Sequence, residues 1–266
     1  MKLLCPICGE ILDRIEKQYR CGNGHSFDLA RQGYVNLLPV QQKRSLNPGD
    51  TREQVLGRRA FLETGCYEPI SNTLNETAKE LGATGPILDV GCGEGYYSAR
   101  LAEALGAELT GLDISKEAVR GAAAKYKGPP WLCGTAAHLP VESHSAGVVP
   151  SLFALTMAEE FKRVLRPGGY FFQVLAAEDH LLGLKSIIYP ELKFKEKNTV
   201  PEVPGFELVK SVPIRFTFTV EGEQVRNLLG MTPHVFRITK EGAARLAATE
   251  KLTDTASAVL NVYRVI

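Results

Sequence analysis

Leu88–Ser115 reads LDVGCGEGYYSARLAEALGAELTGLDIS, and this stretch decides the fold. It opens with a short apolar run, passes through glycines at 91, 93 and 95, and continues into a pattern of helical period. A second apolar run, AELTGLDIS, then ends on Asp113. Strand, glycine turn, helix and strand make a βαβ unit with a ligand expected at the turn. The dinucleotide fingerprint G-x-G-x-x-G would need glycine at position 96, where Tyr96 stands. The spacing Asp89, Gly91, Gly93, Gly95 suits a nucleoside better than a pyrophosphate. Lacking Cβ atoms, Gly91 and Gly93 let the backbone approach the ligand closely, and Asp113 can accept both ribose hydroxyls.

Outward from this unit the alternation continues. A helical pattern begins near residue 53, breaks near Gly65 and resumes after Pro69. Downstream, KEAVRGAAAKY reads as a helix, PPWLCGT, AGVVPSLFA and GYFFQVLA as strands, and MAEEFKRVLRPGG as the helix before the last of these. The predicted class is α/β: a doubly wound, mostly parallel sheet covered on both faces, with the ligand at the carboxyl ends of the strands. Pro150 is expected to mark the end of its strand, since a central strand needs the N–H that proline lacks.

The first 25 residues are of another kind. Cys5 and Cys8 are two residues apart, so one tight turn can bring both sulfurs to one ion, and Cys21 and His25 supply a second pair. Four such donors describe a closed tetrahedral zinc site, which serves folding rather than catalysis. Between the pairs, EILDRIEKQYR reads as two short strands. Cys66, Cys92 and Cys133 show no second metal spacing and are expected to be ordinary buried thiols. The predicted organisation is a zinc-binding module over residues 1–38, a basic linker over 39–60 and a ligand-binding domain over 61–266, each folded module with its own core.

The chain has 266 residues, 44% hydrophobic and 23% charged, with a net charge of +1, which excludes a generic polyanion binder. No apolar run is long enough to span a bilayer, so no membrane partner is expected and the cytoplasm is the expected compartment. Positive charge is concentrated locally at Lys43, Arg44, Arg52, Arg58 and Arg59, a face suited to phosphates. The polar loop around Asn47-Pro48-Gly49-Asp50 lies within it.

LDVGCGEG with LDIS resembles the motifs of class I S-adenosylmethionine-dependent methyltransferases, and RVLRPGG before a strand agrees. The resemblance implies an S-adenosylmethionine site at Asp89, Gly91, Gly93, Gly95 and Asp113. Many members place an acidic residue after the third strand for the adenine amino group. Here the sequence is CGTAAHLPV, so Thr135, Ala136 or His138 is expected in that role. The N-P-P-Y pattern of amino methyltransferases is missing, which disfavours adenine-N6 and glutamine targets.

The zinc module, FDLARQGYVNLLPVQ, the basic loop, the core and a late GMTPHVFR together resemble the bacterial large-subunit rRNA guanine-N1 methyltransferases, which include macrolide-resistance members. That resemblance implies zinc on Cys5, Cys8, Cys21 and His25, and a 23S rRNA hairpin as partner; a homodimer is a further expectation. No catalytic base is identifiable. Asp28, His144, Asp179 and His180 are the candidates, and Tyr34 and Phe153 are the candidates for stacking on the target base. The rival readings are a small-molecule methyltransferase, which would not need the zinc module, and a noncatalytic RNA-binding protein that keeps the cofactor.

Overall fold

The structure, a computed structural model, describes residues 1–43, 45–46, 48–192 and 196–266. The amino-terminal module is an antiparallel meander of β1 (Leu3–Leu4), β2 (Ile11–Ile15), β3 (Gln18–Cys21) and β4 (Ser26–Asp28). Its inward residues are few: Leu3, Cys5, Leu12, Tyr19 and Cys21. So small an apolar set cannot close a core by itself. It does not have to, because the next strand, β5 (Tyr34–Asn36), leaves the module and adds to the edge of a larger sheet.

That sheet is built in the predicted alternation. Thr51 opens α1 (Arg52–Leu62) with a capping box to Gln54, and α2 (Glu68–Glu80) follows with Pro69 in its first turn. Then come β6 (Ile87–Val90), α3 (Tyr96–Leu105), β7 (Leu109–Asp113), α4 (Lys116–Lys125), β8 (Trp131–Cys133), β9 (Ala146–Leu152), α5 (Ala158–Val164) and β10 (Leu165–Ala176). The chain finishes with α6 (Leu182–Ile188), β11 (Phe206–Glu221), α7 (Glu223–Gly230), α8 (Lys240–Ala247) and β12 (Lys251–Val265). The strand order is β11-β12-β10-β9-β6-β7-β8-β5, parallel from β10 to β5 and antiparallel at β12 and β11. The order reverses between β6 and β9, so the turns after these two strands face one crevice.

Strand periodicity explains why both faces are apolar. Ile87, Trp131 and Phe172 point into the cluster under α1 to α4, while Leu88, Leu132 and Phe171 point to the opposite side. On that opposite side Phe161 of α5 packs together with Leu3, Cys5, Leu12 and Tyr19 of the module. The expectation of one core per module is therefore corrected: the zinc module shares the core on one face of the large sheet. Leu3 also bridges Val141, and the Leu4 N–H donates to Pro140 O at 2.8 Å.

Pro150 needs a second correction. It lies inside β9, buried and opposite Phe172 of β10, so the strand does not end there. The ladder between β6 and β9 is confined to Ile87 and Val148, as expected where the residue two places on has no N–H to give. Of the three other cysteines, Cys92 and Cys133 are buried as expected and Cys66 is only half-buried.

Candidate functional site: a zinc knuckle and a cofactor cleft

In the amino-terminal module the hairpin of β2 and β3 carries Cys21 to the base of a turn in which the Cys21 N–H donates to His25 O at 3.0 Å. Gly24, at φ +86°, makes that turn possible. Cys5, Cys8, Cys21 and His25 converge so that their donor atoms all lie within 4.8 Å of one another. Cys8 Sγ and Cys21 Sγ are 3.7 Å apart, and His25 Nδ1 is 3.6 Å from Cys5 Sγ and 3.4 Å from Cys21 Sγ. A tetrahedron with metal–sulfur bonds of about 2.3 Å and metal–nitrogen bonds of about 2.0 Å has edges of roughly 3.5 to 3.8 Å. These three edges match a tetrahedral zinc site, and four such donors would fill it with no position left for water.

At the switch point a cleft of about 1710 Å³ opens along the carboxyl ends of the strands. A drug-sized ligand typically occupies about 300 to 1,000 Å³. The cleft therefore has room for two ligands.

One end is lined by Asp89, Gly91, Gly93, Asp113, Thr135 and Ala136. Asp113 is pinned at the tip of β7: Gly93 N–H donates to one carboxylate oxygen and Ser115 N–H to the other, each at 2.8 Å. Burial raises its pKa above the ordinary carboxylate value, and the two backbone donors oppose that shift. Asp89 is fully buried at the end of β6, where desolvation pushes its carboxyl up to about 7 despite the hydroxyl that Ser98 donates to it. Gly93, at φ +55°, has only Arg58 Nη1 near its absent Cβ, at 3.8 Å, so its bare backbone faces open cleft. Gly91, at φ +85°, leaves room for Ala154 of the turn after β9. Arg58 Nε and Glu94 Oε1 are buried here without a hydrogen-bond partner among the described residues. A glycine cradle and a carboxylate at the strand tip fit a polar nucleoside such as S-adenosylmethionine.

Two of the expected cofactor residues stand apart from this lining. Gly95 caps α3, and a Cβ there would lie 2.7 Å from the Trp131 ring, so its role is packing. His138 is exposed on the far side of the turn that begins at Thr135.

The basic stretch is also redistributed. Arg58 pairs with Asp50 at 2.6 Å and Arg59 with Glu94 at 2.7 Å, so both are tied into the cofactor end rather than offered to phosphates. The polar loop is fastened as well: Ser115 Oγ donates to Asp50 O at 2.7 Å, and Gly49 lies so close to Ser115 that a Cβ would meet it at 2.7 Å. Lys43 and Arg52 are exposed, while Arg44 and Asn47 lie outside the described residues.

The other end of the cleft is lined by Tyr67, Phe153, His180, Lys185, Tyr189, Lys197, His234 and Arg237. Phe153 is 41% exposed, has the left-handed φ of +54°, uncommon for a bulky residue, and its ring lies 6.0 Å from that of His180. Tyr34, the other stacking candidate, is buried in β5 and is corrected to a core residue. Of the four candidate bases only His180 lines the cleft; His144 hydrogen-bonds Leu165 O, Asp179 pairs with Arg215, and Asp28 is exposed on β4. Both ring nitrogens of His180 are engaged, Nδ1 by the Ser257 backbone and Nε2 by Tyr67 Oη at 3.4 Å. Burial pushes its pKa down to about 4. His234 was contained in GMTPHVFR but not singled out; its Nδ1 is 2.8 Å from Tyr189 Oη. Arg58, Lys185, Lys197 and Arg237 were likewise not recognisable as cleft residues, because each is brought there from a different loop or helix.

Comparison with known proteins bears on both sites. The family described as "RlmA, N-terminal" matches residues 3–46, and the one described as "Methyltransferase domain" matches residues 88–173. The 23S rRNA (guanine(748)-N(1))-methyltransferase of Streptomyces fradiae is 32% identical over 92% of this chain and 90% of its own length. A relative from Micromonospora griseorubida, named for the same class of reaction, is 32% identical over 98% of this chain and 97% of its own. By contrast, a demethylmenaquinone methyltransferase of Chlorobaculum tepidum is 33% identical over only 45% of this chain. Zinc knuckle, cofactor cleft and whole-chain similarity coincide, and the chain belongs to the family of 23S rRNA (guanine-N1)-methyltransferases.

Proposed function

We propose that this enzyme methylates N1 of a guanine presented in a hairpin loop of 23S rRNA, in the cytoplasm, with zinc holding the amino-terminal module in shape. The observation that carries this reading is the single cleft whose two ends suit two different ligands. Asp89, Gly91, Gly93, Asp113, Thr135 and Ala136 would hold S-adenosylmethionine, which supplies an activated methyl group. The protein's task is then alignment and exclusion of water.

Guanine N1 lies on the pairing edge, so the base has to enter the cleft unpaired. Phe153 offers an exposed ring for it to stack on, at the lip of the turn after β9. Lys185, Lys197 and Arg237 line the same end and suit the phosphates on either side of that base. The N1 proton has to leave. His180 has no free ring nitrogen for it, whereas His234 is held by Tyr189 and kept neutral by burial and by Lys185, Arg237 and Lys197. Neutral imidazole is the form that accepts a proton.

The small-molecule methyltransferase reading accounts for the core alone and leaves the zinc knuckle without a use. The test is mass spectrometry of rRNA nucleosides from cells with and without the gene, with macrolide inhibition compared in the same strains. Loss of N1-methylguanosine at one rRNA site is expected; an unchanged nucleoside profile would refute the reading.

A further inference from the structure

We propose that Arg58 receives the carboxylate of the amino-acid portion of S-adenosylmethionine. This rests on the cofactor site described above and assigns one residue of it a specific partner. Arg58 lies on α1, opposite the glycine turn. Its guanidinium is held on one side by Asp50, through Nη2 at 2.6 Å. Its Nε is buried and has no acceptor among the described residues. Its Nη1 is the one atom within 4 Å of where a Cβ on Gly93 would stand, and Gly93 is the residue whose bare backbone opens on the cleft.

These observations are independent and converge. Nε is itself sealed off, so Nη1, beside Gly93, is the part of the guanidinium that a ligand can meet. The group that meets it has to be an acceptor, has to be small enough to sit over the glycine turn, and gains most if it is anionic and planar. Asp113 lies across the same turn and is reserved by its position for hydroxyl donors, since its oxygens accept and cannot donate. A nucleoside laid with its hydroxyls on Asp113 sends its other substituent along the turn, and a carboxylate at the end of that substituent meets Arg58. An RNA phosphate is the less suitable occupant. Asp50 already pairs with the guanidinium, and the loop that carries Asp50 is fastened to Ser115 beside the cofactor end.

The test is equilibrium binding to the full-length, zinc-loaded protein, with no catalysis required. S-adenosylhomocysteine carries the carboxylate; 5′-methylthioadenosine has the same nucleoside and thioether without it. Arg58→Gln is expected to weaken S-adenosylhomocysteine about 10- to 100-fold, the range for hydrogen bonds to a charged group, and to leave 5′-methylthioadenosine within about twofold. Arg58→Lys retains the charge and the pairing with Asp50 but loses the fork, so it should show the same selectivity at smaller size and with the fold secure. Equal weakening of both ligands would mean that Arg58 only anchors the Asp50 loop, and would overturn the proposal. Unchanged affinity for both would overturn it too. A weakened salt dependence of rRNA binding with no change in S-adenosylhomocysteine affinity would give Arg58 to phosphate instead. Failure of the unaltered protein to bind either nucleoside would overturn the cofactor site itself along with this assignment.

Discussion

Replacing Asp113 by Asn tests the cofactor end most directly, because the carboxylate does two things at once. It accepts the N–H groups of Gly93 and Ser115 at 2.8 Å each, so it pins the glycine turn and the start of α4 together. It also presents its remaining lone pairs to the cleft. Asparagine has one acceptor oxygen and one amino group, so one of the two backbone N–H groups must lose its acceptor and face a donor. Leaving a buried donor unsatisfied costs about 1 to 3 kcal/mol. At this chain length a loss of that size lowers Tm by roughly 2 to 4 °C per kcal/mol, or about 2 to 12 °C in all. A second loss appears in binding, where a hydroxyl bonded to carboxylate is replaced by one bonded to a neutral amide; about 1 to 3 kcal/mol corresponds to roughly 5- to 150-fold in Kd. Thermal denaturation without ligand separates the first effect, and calorimetry with S-adenosylhomocysteine measures the second. An Asp113→Asn protein with the parent's Tm and the parent's Kd would refute both the pinning and the ribose contact.

Four further outcomes follow from the same geometry. Metal analysis should give about one zinc per chain, and chelation should lower a single unfolding transition rather than reveal a separate one, since the module and the large sheet share a core. Gly91→Ala should cost about 1 to 2 kcal/mol in stability and also weaken cofactor binding, because φ is +85° and the new Cβ would lie 2.9 Å from that of Ala154; chemical denaturation with an unchanged midpoint would contradict this. His180 has its folded pKa depressed from the usual 6.5 to about 4, so the unfolded chain binds more protons in between, and stability falls as pH drops through that window by an amount on the order of 3 kcal/mol. Denaturation midpoints that do not fall between pH 6.5 and 4, or that fall equally in a His180→Gln protein, would show that this imidazole is not the cause. For RNA, converting Lys185, Lys197 and Arg237 together to Gln should reduce the slope of binding against salt by up to about three phosphate contacts, and Lys43→Gln by up to about one; unaltered slopes would place the RNA path elsewhere.

What the sequence disclosed and what it concealed differ in range. The βαβ unit, its glycine turn and Asp113 were legible because strand, turn and helix are local patterns and their residues are neighbours along the chain. The four zinc donors were legible for the same reason, all lying within 21 residues. Tyr34 was misread because nothing local says that a three-residue run will pair with Trp131–Cys133, about a hundred positions on, and so be buried. Pro150 was misread because the cost of a missing N–H depends on whether a neighbour needs it, and β6 pairs with β9 only at Val148. Arg58 and Arg59 looked like a phosphate face because a charge run displays its sign, while the carboxylates that absorb it, Asp50 and Glu94, become partners only in the fold. The acceptor end was the least legible part. Phe153, Lys185, Lys197, His234 and Arg237 come from four separate segments, and only the cleft defines them as a set.

The joining of the module to the sheet gives the fusion its physical meaning. Cys5 is one of the four converging donors that could hold zinc and is at the same time a member of the core shared with Leu139, Val141 and Phe161. Next to it, the Leu4 N–H bonds Pro140 O, and Leu3 bridges Val141. The segment so pinned is the continuation of Thr135 and Ala136, which line the cofactor end of the cleft. On the other side of the module, β5 extends the sheet beside β8, whose last residue, Cys133, lies opposite Asp113 in the ladder from β7. Two hydrogen-bonded paths therefore lead from the zinc knuckle to the walls of the cleft, one through the Leu4–Pro140 contact and one through the pairing of β5 with β8. A module meant only to tether RNA would be served by a flexible linker, which leaves the two parts free to move. This one is built into the sheet edge and the core, so an RNA docked on the knuckle would be held in fixed register with the cleft, which is the kind of alignment that methyl transfer requires.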